Sequence, residues 1–357
     1  TGIGANDLPT NADVRNPRNR IVNPSMAISQ ENGFGTASLP NTTYYVSDQF
    51  ATFNTATGIT GLVLESSYQE LEGERSVRLT ATTAGVTYAG GDNGGRFQQS
   101  FEKANMHQLD NGDVVVAFKC RTNWTGKLAL GFLNGDFSKS YVTDIDVVSG
   151  INQVFKVIPF ESNTISSEAS ESDSALDMFI GYNNEGTDRQ AAANNDAWQA
   201  GIFLCSDEST QWTKTINNYV EITNVDLYAG NVPREFQPNS YAQDLAECQR
   251  YFIDLLGGNY GNNEPVIGGA CYDSSDVYAV FEHTQLCRIP TLNKSNATHF
   301  SIYENNGANS CNTVDQGAQG LSRNEVKFRS IINQTSGNAA FIRTNNVAAR
   351  LALNARL

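Results

Sequence analysis

Residues 219–256 read YVEITNVDLYAGNVPREFQPNSYAQDLAECQRYFIDLL, and this segment contains the clearest change from strand to helix in the chain. Val220 and Ile222 share one face of a strand, because successive side chains of a strand point to opposite faces. Val225 continues the alternation in the opposite phase. An extra residue shifts the phase of a strand in this way, which predicts a β-bulge near residues 223–224.

Two prolines then end the strand, and a helix is predicted to follow. Pro233 and Pro238 cannot continue a ladder of strand hydrogen bonds. Ser240 followed three residues later by Gln243 is the pattern of a capping box. Apolar residues then recur at spacings of four, three, four and three, which places them on one face of a helix that Gly257 would end. These residues are Tyr241, Leu245, Cys248, Phe252 and Leu255.

Composition limits the possible functions of the 357 residues. The formal net charge of −14 argues against nucleic-acid binding, because neutralising phosphates requires clustered Lys and Arg. It also disfavours an anionic membrane surface. No apolar run approaches the roughly 20 residues that span a bilayer, so we expect no membrane insertion.

The pattern of short strands predicts a mainly β protein. Residues 113–132 alternate on both sides of a turn near 125–126, which we interpret as a hairpin with Trp124 among the core residues. Eight or more short strands precede Tyr219, as expected of a jelly-roll β-sandwich. We predict four regions: an extended arm (1–18), the jelly roll (19–238), a linking helix (239–258) and a C-terminal β-sandwich lobe (259–357).

Residue types that carry chemistry are present but scattered. Three histidines lie far apart in the sequence, and six cysteines show no metal-type spacing, so buried free thiols are favoured over disulfides. Asp144 and Asp146 share one strand face, where they would bind Ca²⁺ or act on a sugar; a solvated face is the alternative. Further weak calcium candidates are Asp92, Asp110, Asp113 and Asp136. The patterns therefore predict no cofactor, with Ca²⁺ left open, and no catalytic residues.

Distinctive motifs occur in residues 19–50, the strand–turn–helix junction at 222–252, the 113–132 strands, Trp198 in its loop, 286–291 and the C-terminal ARLALNARL. Taken together, these segments resemble bacteriophage tail-fibre and related virion receptor-binding proteins. The chain departs from the family's pattern at five positions. Phe50 replaces a Trp, Gln49 an Arg, Cys287 a Met, Ile289 an Ala and Arg356 a Glu.

The resemblance implies a non-enzymatic virion protein, assembled in the bacterial cytoplasm, that binds host surface polysaccharide. It further implies a homotrimer whose N-terminal arm attaches to other tail or collar proteins, while the C-terminal lobes face the host. The helix stripe named above would suit the seam of a trimer, with packing inside one chain as the alternative. We expect the receptor contacts to lie in the polar loops at 272–276 and 305–319.

Three other functions remain open from the sequence. The first is a head fibre, collar fibre or decoration protein of the virion. The second is a polysaccharide depolymerase, although the short repeats of the long β-helix usual in such enzymes are missing from the sequence. The third is a secreted cellular carbohydrate-binding module.

Overall fold

The computed structural model describes residues 18–39, 43–54, 59–60, 64–83, 87–88, 93–106, 109, 112–161, 164–165, 170–185, 188–256, 261–304, 307–331 and 334–357. The chain divides into two compact units. The first ends at Asp244 and includes Leu357, and the second is Leu245–Arg356. Each unit is a β-sandwich, so the prediction of a mainly β protein with two sandwich lobes is confirmed.

The first unit contains seventeen strands in its described residues, together with one short α-helix and two 3₁₀-helices. The first eight strands are β1 (Ala37–Ser38), β2 (Tyr44–Ser47), β3 (Phe50–Asn54), β4 (Ile59–Thr60), β5 (Leu64–Leu71), β6 (Glu74–Ala81), β7 (Thr87–Tyr88) and β8 (Asn93–Glu102). The others are β9 (Gly112–Thr122), β10 (Gly126–Asn134), β11 (Lys139–Val147), β12 (Gly150–Phe160), β13 (Ser174–Glu185), β14 (Arg189–Gln190), β15 (Trp198–Ala200), β16 (Cys205–Ser206) and β17 (Tyr219–Ala229). The helices are α1 (Lys103–Met106) and the 3₁₀ turns Ala192–Asn194 and Trp212–Lys214.

Two large antiparallel sheets form the sandwich of the first unit. The six-stranded sheet has the order β1-β5-β6-β17-β9-β12, and the seven-stranded sheet has the order β15-β11-β10-β13-β8-β3-β2. Two small two-stranded sheets, β14-β16 and β4-β7, complete it. The alternation of β9 sends Val114, Val116 and Phe118 into the core, while Ala117 and Lys119 stay on the outer face.

The strands at 113–132 do not form the hairpin that was predicted from the sequence. β9 and β10 are consecutive, but β9 pairs with β12 and β17 in one sheet, while β10 pairs with β11 and β13 in the other. They are therefore not a hairpin. Both strands present an apolar row, and each row is buried most fully when the two strands face one another across the core. Trp124 lies between them and is buried, as predicted.

The bulge in β17 is confirmed. The register against β9 shifts between Thr223 and Asp226. Asn224 adopts a left-handed φ of 53° there, a conformation that Asn tolerates better than most residues. The shift allows the residues before and after it to reach the same core. The β17 side chains that enter this apolar core are Val220, Ile222, Val225 and Leu227.

The capping box is confirmed, but the helix after it is shorter than predicted. Helix α2 is Tyr241–Gln249, and it begins with the reciprocal bonds from Ser240 N–H to the Gln243 Oε1 atom (2.9 Å) and from Gln243 N–H to the Ser240 Oγ atom (3.3 Å). Phe252–Asp254 forms strand β18 instead of helix, because it pairs with Ala352–Asn354. The linking helix predicted for 239–258 was therefore wrong in its second half.

The second unit is a smaller sandwich. Its remaining strands are β19 (Pro265–Cys271), β20 (Asp276–Glu282), β21 (Thr291–Lys294), β22 (Phe300–Glu304), β23 (Gly307–Ser310), β24 (Thr313–Gln316), β25 (Arg323–Arg329), β26 (Ala339–Thr344) and β27 (Leu351–Asn354), with a 3₁₀ turn at Ala297–His299. One sheet has the order β23-β22-β26-β19-β20-β25-β24 and the other β18-β27-β21. Val277, Phe328 and Leu351 lie in the core between them.

All six cysteines are buried and free, as the sequence predicted. Burial raises the pKa of the Cys120 and Cys311 thiols to about 12, so these thiols are neutral and unreactive at neutral pH. Neither helix of the described residues has the length and apolar character that a membrane crossing requires.

Candidate functional site

The loop at 272–276, between β19 and β20, is tightly folded. The Asp273 Oδ1 atom accepts hydrogen bonds from the backbone N–H groups of Ser275 (2.7 Å) and Asp276 (2.8 Å). Tyr272 N–H donates to the Asp276 carbonyl oxygen at 2.8 Å. An Asp side chain that satisfies the backbone two and three residues ahead makes a compact turn. This turn presents Tyr272 to solvent, with 73% of the residue exposed.

Tyr272 packs edge-on against a second tyrosine. Tyr278 lies on the outer face of β20, and the two ring centroids are 5.4 Å apart at an interplanar angle of 75°. This is a favourable arrangement for two aromatic rings. The rings border an open hollow of about 570 Å³, within the size range of small-ligand sites. The hollow is lined by Ala270, Cys271, Tyr272, Tyr278, Glu325, Ser336 and Gly337.

Glu325 brings a carboxylate to the hollow from β25. Gly317 N–H donates to the Glu325 carbonyl oxygen (2.8 Å), and Ala318 N–H donates to the Glu325 Oε1 atom (3.3 Å). A Cβ atom at Gly317 would lie 2.3 Å from the Oε1 atom, so the close approach of this carboxylate requires glycine there. An ionised carboxylate accepts several hydrogen bonds, which makes Glu325 the principal acceptor of the hollow.

The opposite wall is a loop at 334–338. Ser336 Oγ donates to the Tyr272 carbonyl oxygen (3.0 Å), and Gly337 N–H donates to the Cys271 carbonyl oxygen (2.8 Å). Glu304 accepts from Asn338 Nδ2 at 2.6 Å. That bond, with one from the Thr335 N–H, lowers the pKa of Glu304. The wall is therefore held to the sheet by several hydrogen bonds, which leaves the hollow preformed.

Two further carboxylates, those of Asp273 and Asp276, lie in the turn beside Tyr272. Arg329 donates two hydrogen bonds to Asp276 (2.6 and 2.8 Å) and lowers the pKa of Asp276. Backbone N–H groups of Ser275 and Asp276 lower the pKa of Asp273. Desolvation, together with the Asp276 and Glu325 carboxylates, raises the pKa of Tyr278. The Tyr278 hydroxyl therefore keeps its proton at neutral pH and can donate a hydrogen bond to a ligand.

The acidic pair predicted on β11 has a different role. Asp144 and Asp146 do share an outward face, but the Asp144 carboxylate accepts hydrogen bonds from Ser206, Ser209 and Asn195. It therefore anchors the 195–209 segment to the sheet. No group of three or more His, Cys, Asp or Glu side chains that could hold a metal ion occurs in the described part of the chain.

The predicted aromatic and seam residues lie as follows. The Trp124 ring stacks on Trp212, and the Trp198 Nε1 atom donates to the Pro159 carbonyl oxygen at 2.9 Å. Of the seam residues on α2, Tyr241 is exposed and Leu245 is half-buried. The remaining three seam residues are buried Cys248, buried Phe252 in β18 and half-buried Leu255. The five do not form one helical stripe, and their role in a trimer stays a prediction.

Some sequence predictions lie outside the described residues. They include the arm at 1–17, His107, Asp92, Asp110 and the glycines at 257–258. Residues 305–306 of the second predicted loop are also outside, whereas Gly307–Ser310 and Thr313–Gln316 of that loop are strands.

Sequence reasoning identified one loop of the hollow but missed Tyr278, Glu325 and Ser336. The missed signal is the strand parity: Tyr278 alternates with the buried Val277 and Ala279, and Glu325 precedes the buried Val326. Alternation therefore sends Tyr278 and Glu325 to the outer face. Tyr278 and Glu325 come close together because β20 and β25 are neighbours, with Tyr278 opposite Lys327 and Val280 opposite Glu325. Only the structure of the sheet shows this pairing.

No protein-family model matches the chain, and no curated protein matches it. Among solved structures, a CBM4 structure is similar with a TM-score of 0.29 and 9% identity, over 58% of this chain and 98% of that one. The enzymatically active domain of bacteriophage CBA120 tailspike protein 4 has a TM-score of 0.28 and 12% identity, over 59% of this chain and 21% of that one. The family 11 carbohydrate-binding module of the Clostridium thermocellum cellulase Lic26A-Cel5E is similar with a TM-score of 0.28 and 9% identity, over 57% of this chain and 100% of that one.

Proposed function

We propose that this protein is a non-enzymatic, tail-fibre-like component of a bacteriophage virion that binds host-surface glycans through the hollow of its C-terminal sandwich. The observation that carries the proposal is the exposed Tyr272 ring, held edge-on to Tyr278 beside the Glu325 carboxylate. Aromatic rings with nearby acceptors and donors suit a sugar, which presents an apolar ring face and a rim of hydroxyl groups.

Each group of the hollow has a role in this proposal. Tyr272 offers a ring face for stacking, because its turn holds it in solvent. Glu325 accepts hydrogen bonds from two neighbouring sugar hydroxyls, and the Tyr278 hydroxyl donates one to a ring or hydroxyl oxygen. The site is shallow and open, so a single copy binds weakly. Three copies on a trimeric fibre bind a polysaccharide surface much more strongly through avidity.

The virion role is the finer part of the proposal, and it rests on the sequence resemblance. In that role the N-terminal arm joins the trimer to tail or collar proteins in the particle, which is assembled in the host cytoplasm. A head or collar fibre uses the same glycan site from another place on the particle. A depolymerase would release reducing ends from the polysaccharide that it binds. An assay for reducing ends therefore distinguishes a depolymerase from a non-enzymatic fibre.

A glycan array that includes host-type polysaccharides tests the site. We expect the full chain to bind a defined set of glycans. Tyr272→Ala and Glu325→Gln should each reduce that binding about tenfold, because each removes one contact worth on the order of 1.4 kcal/mol. Phe341→Ala is the matched control, since Phe341 is an exposed aromatic residue on a strand of the same sheet that does not line the hollow.

Two outcomes contradict the proposed site. One is a Tyr272→Ala protein that keeps the wild-type binding profile. The other is an equal loss of binding in the Phe341→Ala control, which would show that the exposed sheet face as a whole binds the glycan.

A further inference from the structure

A second groove lies on the first unit, on the outer face of its six-stranded sheet. Its volume is about 340 Å³, at the lower end of the usual range for ligand sites. The floor comes from β9 and β12, and one wall is the segment at 233–238 that follows β17. The lining residues that matter for the argument are Lys119, Gln153, Phe155, Arg234, Glu235 and Phe236.

The floor presents an aromatic ring. Phe155 pairs with Ala117 in the ladder between β12 and β9, and the small alanine side chain leaves the flank of the ring uncovered. Phe155 is 38% exposed although it lies in the middle of an eleven-residue strand. Gln153, two residues earlier, is an exposed residue on the same face, and its Nε2 atom donates to the Phe118 carbonyl oxygen at 3.5 Å. A ring beside an amide provides stacking and hydrogen bonding at adjacent positions.

The wall of the groove is fixed before any ligand arrives. Arg234 donates two hydrogen bonds to Asp226, at 3.0 and 2.8 Å. Its guanidinium also lies 4.1 Å from the centroid of the Tyr228 ring, while the Tyr228 hydroxyl donates to the Val232 carbonyl oxygen at 2.9 Å. Pro233 and Pro238 restrict the backbone further. A preformed wall lowers the entropy lost on binding.

The charges of the groove select against anions. Lys119 Nζ lies 3.0 Å from the Glu72 Oε2 atom and 3.2 Å from the Glu74 Oε2 atom. The other cation of the groove, Arg234, is paired with Asp226. Both cations are thus matched by carboxylates, and Glu235 adds an exposed negative charge. An acidic sugar would meet net repulsion here, whereas a neutral one would not.

We propose that this groove is a second carbohydrate site, which binds a neutral oligosaccharide stacked on Phe155. Gln153 and Glu235 hydrogen-bond its hydroxyl groups, and Phe236 covers its outer side. The inference rests on the proposed glycan-binding function and adds a site with its own selectivity. A peptide that paired with β12, the edge strand of this sheet, is the other occupant, and in that case Phe155→Ala would leave the binding of neutral glycans unchanged.

The test compares full-length variants on one array that carries neutral and acidic oligosaccharides. Phe155→Ala should lose about tenfold in binding to a set of neutral glycans that Tyr272→Ala still binds. Ile151→Ala is the matched control: Ile151 is 44% exposed on the same face of β12 and does not line the groove. It should bind as wild type does.

The inference is overturned if Phe155→Ala binds like wild type, if Ile151→Ala loses as much, or if the glycans that Phe155→Ala loses are acidic. It is also overturned if Tyr272→Ala abolishes all binding, a result that would leave the proposed C-terminal site standing. If Phe155→Ala alone loses binding, the groove stands and the C-terminal site fails. Circular dichroism of each variant confirms that it is folded.

Discussion

At the scale of single residues, Glu221 is a buried charge of the first unit that is held by several partners. Its side chain is fully buried on the outer face of the six-stranded sheet. Arg78 lies 2.7 Å from its Oε2 atom and Arg121 lies 3.7 Å from the same atom, while Ser76 Oγ donates to Oε1 at 2.6 Å. One carboxylate thus compensates two guanidinium groups that would otherwise repel each other.

We expect Glu221→Ala to lower the free energy of unfolding by about 3 kcal/mol, because it leaves Arg78 and Arg121 facing each other without their acceptor. Urea denaturation followed by tryptophan fluorescence measures the change. Glu70→Ala, at an exposed position on β5, should change stability by less than about 0.5 kcal/mol. A loss at Glu221 as small as that of the control would mean that water replaces the carboxylate.

At the scale of elements, two loops around the C-terminal hollow depend on ionised carboxylates. Asp273 holds the turn between β19 and β20, and Asp276 holds Arg329 across to β25. Glu304 on β22 holds the loop at 334–338 through Asn338. In each case the hydrogen bonds lower the pKa of the carboxyl group in the folded chain.

These shifts predict acid sensitivity of the hollow. A lowered native pKa contributes stability that is fully present above the unfolded pKa, which is 3.8 for Asp and 4.5 for Glu. This stability is lost as the pH falls through the lower native value. The protection of the Ser275 and Thr335 amides from hydrogen exchange, corrected for the intrinsic exchange rate at each pH, should therefore fall between about pH 4 and pH 2, more than that of amides of β9. Faster exchange on raising the pH from 5 to 7, beyond the intrinsic base catalysis of exchange, would contradict this prediction.

At the scale of the whole molecule, the proposed fibre role requires a trimer. We expect light scattering after size exclusion to give about three times the 38.8 kDa mass of one chain. Tyr241 is an exposed aromatic residue of the predicted seam, so Tyr241→Asp should shift the mass towards the single chain by placing a charge in a packed interface. A single-chain mass for the unmodified protein at micromolar concentration would exclude the trimer.

Much of the fold was predictable from local pattern. The alternation of β9, the phase shift in β17 and the capping box at Ser240 and Gln243 all have the predicted form. Each depends on side chains within a few residues of one another, so the information is present in a short window of sequence. The loop at 272–276 was recognised from its polar composition, and its turn also depends on local bonds, since Asp273 accepts from backbone N–H groups two and three residues ahead.

By itself, the sequence determined that this protein is built of alternating strands in two lobes, with a capped helix after Ser240. Only the tertiary structure decided which strands pair. It placed β9 and β10 in different sheets, and it made Phe252 a strand residue opposite Asn354 instead of the next turn of a helix. Likewise, it brought Tyr278 on β20 and Glu325 on β25 to one hollow with Tyr272. The reason is physical: alternation specifies which face of a strand is buried, whereas the choice of neighbour depends on contacts between residues far apart in the chain.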